Sequence, residues 1–372
     1  MSSEAIAEIL AGIRSWVEIE SQTADRDGVN RMIDAVEQSY LALGARTERI
    51  AGRDGLGDHL RARLPWGGER PGILLLSHVD TVHPKGTLAR QPWRIEGDSA
   101  FGPGVYDMKG GTYIAFHAVR ELVLAGRVPP LPVTHLITAD EEIGSPTSRD
   151  LILAEGSAAR YVLVTEPARE GGKVVTARKG VARFALRTVG RAAHAGARHQ
   201  DGRSAVREMA RLILALEELT DYARGITANV GLVSGGSGVN VVPAECRAEV
   251  DFRLPSLAAV DELLAWMGAL TTSDPDVRLE LEGGLDRPPF AKNAMTAALF
   301  EHARALAAEL GFTLEDTASG GGSDGNFLAA SLPVLDGLGV DGMGAHTDHE
   351  QLYISSLVPR ATLLRRLLET LS

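Results

Sequence analysis

Four consecutive apolar residues, ILLL at 73–76, run directly into the polar quartet SHVD at 77–80. A short segment apolar on both faces reads as a central strand covered from both sides, and such strands belong to parallel sheets layered between helices. Comparable strands are expected at 133–139 (VTHLITA) and 161–165 (YVLVT), with further ones near 45–50 and 58–64. Apolar residues at helical spacing mark helices over 3–20, 28–44 and 111–125. This alternation implies an α/β fold, an α/β/α domain with a mixed, largely parallel sheet.

After about residue 177 the pattern changes to strand (181–190), helix (204–220), strand (226–233), strand (243–254), helix (258–270) and strand (277–283). That β-α-β-β-α-β order is the split βαβ, or ferredoxin-like, arrangement. A helix over 291–310, a glycine-rich turn, a short strand at 333–335 and a helix over 356–371 then resume the first pattern. One domain is thus expected inside another: 1–177 and 289–372 form the first, and 178–288 the insert. A chain of 372 residues is long enough for two cores.

Charge and composition exclude several classes. A formal net charge of −11 leaves no basic face for nucleic acid, although local arginines or cations can still hold an anionic substrate. Cys246 is the one cysteine, so no intramolecular disulfide can form, and its place in the alternating stretch 241–254 suggests a small buried thiol. The first twenty residues, with Glu4, Glu8 and Arg14 along them, read as an amphipathic helix and not as a signal peptide. No apolar stretch approaches the roughly 18 residues that span a bilayer. A cytoplasmic protein without membrane contact is expected.

Residues able to bind metal cluster where the strands end, the place where open α/β sheets bind ligands. His78 and Asp80 directly follow the 73–76 run and, by alternation, lie on one side of the chain. Asp80 then reads as a carboxylate orienting the imidazole. Asp107 stands in GPGVYDMKGG (102–111), where glycines permit close approach. Glu141 and Glu142 follow the 133–139 strand in ADEEIGS, and paired carboxylates there call for a cation or a proton between them. Glu166 ends YVLVTE, and GAHTDHE (344–350) carries His346 and His349. Each alone is equally explained by a solvated loop or, for Asp107, a helix cap. Together they form a nitrogen-and-oxygen donor set suited to zinc or a similar divalent ion.

In this order the motifs resemble the zinc aminoacylase/carboxypeptidase family, which includes glutamate carboxypeptidase, acetylornithine deacetylase and succinyl-diaminopimelate desuccinylase. The resemblance runs from SHVDTV through the Asp107 motif and DEEIGS to GAHTDHE, and extends to an inserted domain after Glu166. It implies two Zn2+ ions, with Co2+ or Mn2+ also suited to the ligands. His78 and Glu166 would hold one ion, Glu142 and His346 the other, and Asp107 would bridge them. Glu141 would be the general base. His346 is matched in preference to His349 because it follows Gly-Ala and precedes Glu350 by four positions. His194, in GRAAHAGARHQDGRSAV, would reach the oxyanion, in this family often from the partner subunit of a homodimer. Asn240, Arg253 and Arg287 match positions that contact substrate. Gly321 and Gly322, in SGGGSDG, offer backbone N–H groups that can cradle a carboxylate. Which arginine would hold that carboxylate stays open, since each is equally explained by a surface ion pair.

The expected activity is hydrolysis of an amide or peptide bond next to a free carboxylate, on an N-acyl amino acid or short peptide. The closest likeness is to a glutamate carboxypeptidase releasing a C-terminal acidic residue. An N-acyl-amino-acid deacetylase is the alternative. Residues 321–325 also satisfy G-x-S-x-G around Ser323, with Asp341, His346 and Asp348 downstream, but the polar TLEDTAS before it is a poor elbow strand. A non-catalytic metal-binding protein is the remaining reading.

Overall fold

The structure is a computed structural model that describes residues 3–66, 68 and 70–372. In chain order it comprises α1 (Ser3–Val17), α2 (Arg26–Leu41), β1 (Arg46–Ile50), β2 (His59–Arg63), β3 (Gly72–His78), α3 (Gly110–Leu124), β4 (Val133–Thr138), α4 (Arg149–Ser157) and β5 (Ala159–Val164). Then come β6 (Gly180–Val189), α5 (Ala205–Glu217), β7 (Thr227–Gly235), β8 (Glu245–Leu254), α6 (Leu257–Gly268) and β9 (Arg278–Arg287). The chain closes with α7 (Ala294–Glu309), β10 (Val334–Leu335) and α8 (Ile354–Thr370), besides short hairpin strands. The chain divides into two compact units: Met1–Ala177 with Lys292–Ser319 and Ser323–Ser372, and Arg178–Ala291 with Gly320–Gly322.

The first unit is built on a six-stranded mixed sheet, in the order β1-β2-β4-β3-β5-β10. β3 is buried along its whole length and pairs in parallel with β4 and β5 on either side, while β1 and β2 add an antiparallel edge. The uninterrupted apolar run at 73–76 thus occupies the centre of the sheet, where no face is left for water. Helix α1 contributes Ile9, Ile13, Trp16 and Val17 to the core, at helical spacing. Trp16 meets Tyr113 edge-on at 4.9 Å between ring centroids, and Tyr40 meets Phe116 at 5.3 Å. Such ring pairs add about 0.5–1.5 kcal/mol each beyond the area they bury.

The register places the chemistry. His78, the last residue of β3, lies opposite Thr138, the last of β4, and Leu76 lies opposite Val164, the last of β5. The ends of β3 and β4 therefore stop level, β5 ends two residues short of them, and Glu141, Glu142 and Glu166 follow three, four and two residues after their strands. Gly111, in the first turn of α3, lets the helix start close to the end of β5: a Cβ there would stand 2.0 Å from the Thr165 carbonyl oxygen.

The second unit is a four-stranded antiparallel sheet, ordered β7-β8-β6-β9, with α5 and α6 completing a β-α-β-β-α-β sequence around its own core. Ser204 and Ser256 cap these two helices, each accepting an N–H bond from three residues on. Cys246 lies in this core. No helix among the described residues is long and apolar enough to cross a membrane.

Candidate metal centre

Two groups of side chains converge at the carboxyl ends of the strands of the first unit. In the first, potential ligand atoms of His78, Asp107 and Glu166 all lie within 4.8 Å of one another; in the second, those of Asp107, Glu142 and His346 do so. Asp107 belongs to both. His78 Nε2 is 3.4 Å from Asp107 Oδ1 and 3.6 Å from Glu166 Oε1. His346 Nε2 is 3.4 Å from Asp107 Oδ2 and 3.1 Å from Glu142 Oε2. Ligand atoms bound tetrahedrally at about 2.0–2.2 Å sit about 3.3–3.6 Å apart, so most of these spacings match edges of zinc-sized coordination shells. Glu141 Oε2 stands 4.0 Å from His78 Nε2 and belongs to neither group.

The residues fit a pair of cations on chemical grounds as well. His78 Nε2 and Glu142 Oε1 are buried and find no hydrogen-bond partner among the described residues, a costly state that a metal ion removes. Burial disfavours ionisation of Asp107, yet its contacts to His346 and His78 hold the carboxyl far below the usual range. Asp107, then Glu142, raise His346 to about 11. Burial opposes a charge on His78, but Asp107 and Asp80 overcome it and raise its pKa well above the ordinary value. Burial, reinforced by the charge of Asp107, raises the carboxyl of Glu142 against the pull of His346. Without metal, the imidazoles hold protons that metal ions would displace on binding.

The supporting contacts run through Asp80, which is fully buried. The His78 ring is held chiefly by the Asp80 backbone carbonyl, 3.0 Å from Nδ1, with the carboxylate at 3.4 Å. That departs from the simple picture of a carboxylate orienting the imidazole. The carboxylate oxygens accept the Thr23 hydroxyl and the backbone N–H groups of Glu141 and Glu142, at 2.7, 3.2 and 3.2 Å. Asp80 therefore ties the end of β3 to the two-glutamate turn. Asp140, also buried, accepts the N–H and O–H groups of both Thr147 and Ser148 and closes that turn from below. These turn contacts were not evident from the sequence, although an aspartate just before the paired glutamates was a signal for a local cap.

His346 is half-exposed, with φ +64°, and His349 is exposed on the same loop. Ser323 is fully buried, and its hydroxyl donates to Asp336 at 2.6 Å while accepting the Gly325 N–H. It caps a turn and has no access to a substrate, which removes the G-x-S-x-G reading. The Ser323 and Gly325 N–H groups bond within the turn, and the carbonyls of Gly321 and Gly322 accept Arg178 at 3.2 Å each.

The remaining singled-out residues lie in the second unit. His194 is exposed, and its Nδ1 accepts the N–H groups of Gly196 and Ala197 at 3.1 and 3.2 Å. Asn240 lies on the adjoining segment, its carbonyl accepting the Ala195 N–H at 2.9 Å. Arg253 is engaged by Asp251 at 2.7 Å. Arg287 is buried, its stem packed against Gly322.

Residues 74–370 match the model for peptidase family M20/M25/M40. The chain is 32% identical to carboxypeptidase G2 of Pseudomonas sp. over 361 residues, covering 95% of this chain and 86% of that one. It is 29% identical to succinyl-diaminopimelate desuccinylase of Bordetella avium over 356 residues, covering 90% and 91% of the two chains. Among solved structures, a tripeptidase from Staphylococcus aureus superposes with a TM-score of 0.79 at 21% identity, covering 98% of both chains. An M20 family metallo-carboxypeptidase from Sulfolobus solfataricus superposes with a TM-score of 0.77 at 16% identity, covering 97% and 98%.

Proposed function

Given that this chain belongs to the M20/M25/M40 peptidase family and is a metal-dependent hydrolase, we propose that it is a two-zinc metallocarboxypeptidase. It cleaves an amide bond next to a free carboxylate and releases a C-terminal, acidic amino acid. The observation that carries this reading is the pair of three-residue groups sharing Asp107, with Glu141 beside them and outside both. His78 and Glu166 would hold one ion, Glu142 and His346 the other, and Asp107 would serve both; Co2+ or Mn2+ suits the same donors. When bound, the ions supply Lewis acidity, polarising the amide carbonyl and lowering the pKa of a water within their reach.

The chain's own groups do the rest. Glu141 takes the proton of the attacking water and delivers it to the leaving amine. Asp80, by holding the Glu141 and Glu142 amides and the His78 ring, keeps base and ligands in register. His194 donates from Nε2 to the oxyanion, and Asn240 supports the substrate from the neighbouring segment. For the substrate carboxylate, Arg253, which pairs with Asp251, and the buried Arg287 are the two candidates. Gly321 and Gly322 line the same subsite, where their backbone N–H groups cradle that carboxylate.

The second unit also offers a surface for a second copy of the chain. β7 is an edge strand, and Leu232 and Val233 on it are 63% and 62% exposed. An open, apolar edge is a template for pairing with another strand, which supports a homodimer formed through the inserted unit.

The likeness to a desuccinylase favours a second reading, removal of an acyl group from an amino acid. A panel of N-acetyl, N-succinyl and N-aroyl amino acids and short peptides, assayed with and without chelator, separates the two. Chelator-sensitive cleavage of peptidyl or aroyl donors ending in Glu or Asp supports the carboxypeptidase; turnover confined to acetyl or succinyl donors supports the deacylase.

A further inference from the structure

Glu350 lies in the loop that carries His346, is 3% exposed, and makes contacts that the mechanism above does not use. Its Oε1 accepts the backbone N–H groups of Tyr106 and Asp107, both at 2.8 Å. Its Oε2 accepts the Gly104 N–H at 2.9 Å and a bond from His83 Nε2. Both oxygens thus carry two donors, which fills the acceptor capacity of a carboxylate. The turn at 104–107 makes this possible: Gly104 takes φ +72°, and the amides at 104, 106 and 107 converge on one point. That is an anion-binding nest whose anion comes from the chain itself.

Three segments meet at this carboxylate. One carries Asp107, whose own N–H is bound. Another carries His83, three residues beyond Asp80 on the segment leaving β3. The last is the His346 loop, closed by the Thr347 and Glu350 amides bonding to the carbonyls of Gly344 and Thr347. We propose that Glu350 is the positioning residue for the shared ligand Asp107, and that it thereby sets the affinity of the Asp107–Glu142–His346 group for its metal ion. This rests on the two-metal reading of the site. A glutamine at 350 would present an N–H pair to at least one backbone N–H in either amide orientation, releasing either the Asp107 or the Gly104 end of the turn.

The test is titration of chelator-stripped protein with Co2+ alone, followed by visible absorption and by bound-metal analysis, for wild type, Glu350→Gln and His83→Leu. Wild type is expected to take up two ions. Glu350→Gln should bind the second ion roughly 10–100-fold more weakly, the usual cost of losing a group that orients a ligand, and with an altered cobalt band. His83→Leu, which removes one donor of four, should shift affinity and spectrum in the same direction by less, and it decides the matter if Glu350→Gln does not fold. Two ions bound by the folded variants with wild-type affinities and spectrum would overturn the proposal alone. A wild-type protein that binds no cobalt would overturn the two-metal reading and this proposal together.

Discussion

Because the Nδ1 of His194 accepts two backbone N–H bonds, the neutral ring carries its proton on Nε2. The loop thus presets the imidazole as a donor, the form needed to stabilise a developing oxyanion, with no tautomer change during the reaction. Replacing His194 by Ala should lower kcat by about 10²–10³-fold, as loss of one oxyanion donor does elsewhere, while metal content and KM change little. Steady-state kinetics beside metal analysis make the check; a change below threefold in kcat would return His194 to the role of a surface loop residue. Asp80 differs in kind. Its carboxylate serves two glutamate amides and a threonine, so its removal would disturb ligand and base together and report on neither alone.

At the scale of strands and helices, a buried polar chain links the elements beneath the site. The Tyr40 hydroxyl, kept protonated by burial, meets His135 Nδ1 at 2.5 Å, and His135 Nε2 meets Ser77 Oγ at 2.7 Å. Ser77 then meets Thr165 at 2.6 Å. Ser77 and Thr165 directly precede His78 and Glu166, so α2, β4, β3 and the end of β5 are pinned by one hydrogen-bonded path. Burial pushes His135 down to about 3, against about 6.5 in the unfolded chain. Between those values the unfolded state binds a proton that the folded state refuses, so stability rises with pH there and is lost as pH falls below about 6.5. The slope from this one group reaches about 1.4 kcal/mol per pH unit. Denaturant unfolding of metal-free wild type and His135→Gln at pH 7 and pH 5 should show the wild type losing more stability by about that slope. Equal losses would mean that His135 already takes its proton when folded.

These elements differ in how plainly the sequence announced them. β3, β4 and β5 were legible because a strand buried on both faces must be apolar throughout, and their polar successors stood out against that background. Helix α4 was missed: it has nine residues, and only Ile152 and Gly156 are buried, too few to show a period. The residues of the two groups around Asp107 were legible as a set in order along the chain. The groups that hold them were not, because Glu350 meets Gly104 across 246 residues and Asp80 meets Glu141 across 61, separations that no local pattern records.

For the whole molecule, one consequence stands apart from the site's internal chemistry. If β7 pairs with its copy, the protein sediments as a dimer, and Leu232→Arg, placing a charge on the exposed apolar edge, yields a monomer of unchanged thermal stability. Sedimentation velocity at micromolar concentration makes the check, and a wild type that sediments as a monomer would remove the homodimer from the account. The central claim is that two ions held around Asp107 serve a base, Glu141, that is not itself a ligand. The most direct test strips the protein with chelator, restores it with two equivalents of Zn2+, and compares wild type with Glu141→Gln in metal content and turnover of one cleavable substrate. The account predicts that both bind two ions, that wild type regains its activity only on reloading, and that the variant remains about 10²–10⁴-fold slower. Activity that survives chelation, or a fully loaded Glu141→Gln protein as fast as wild type, would contradict it.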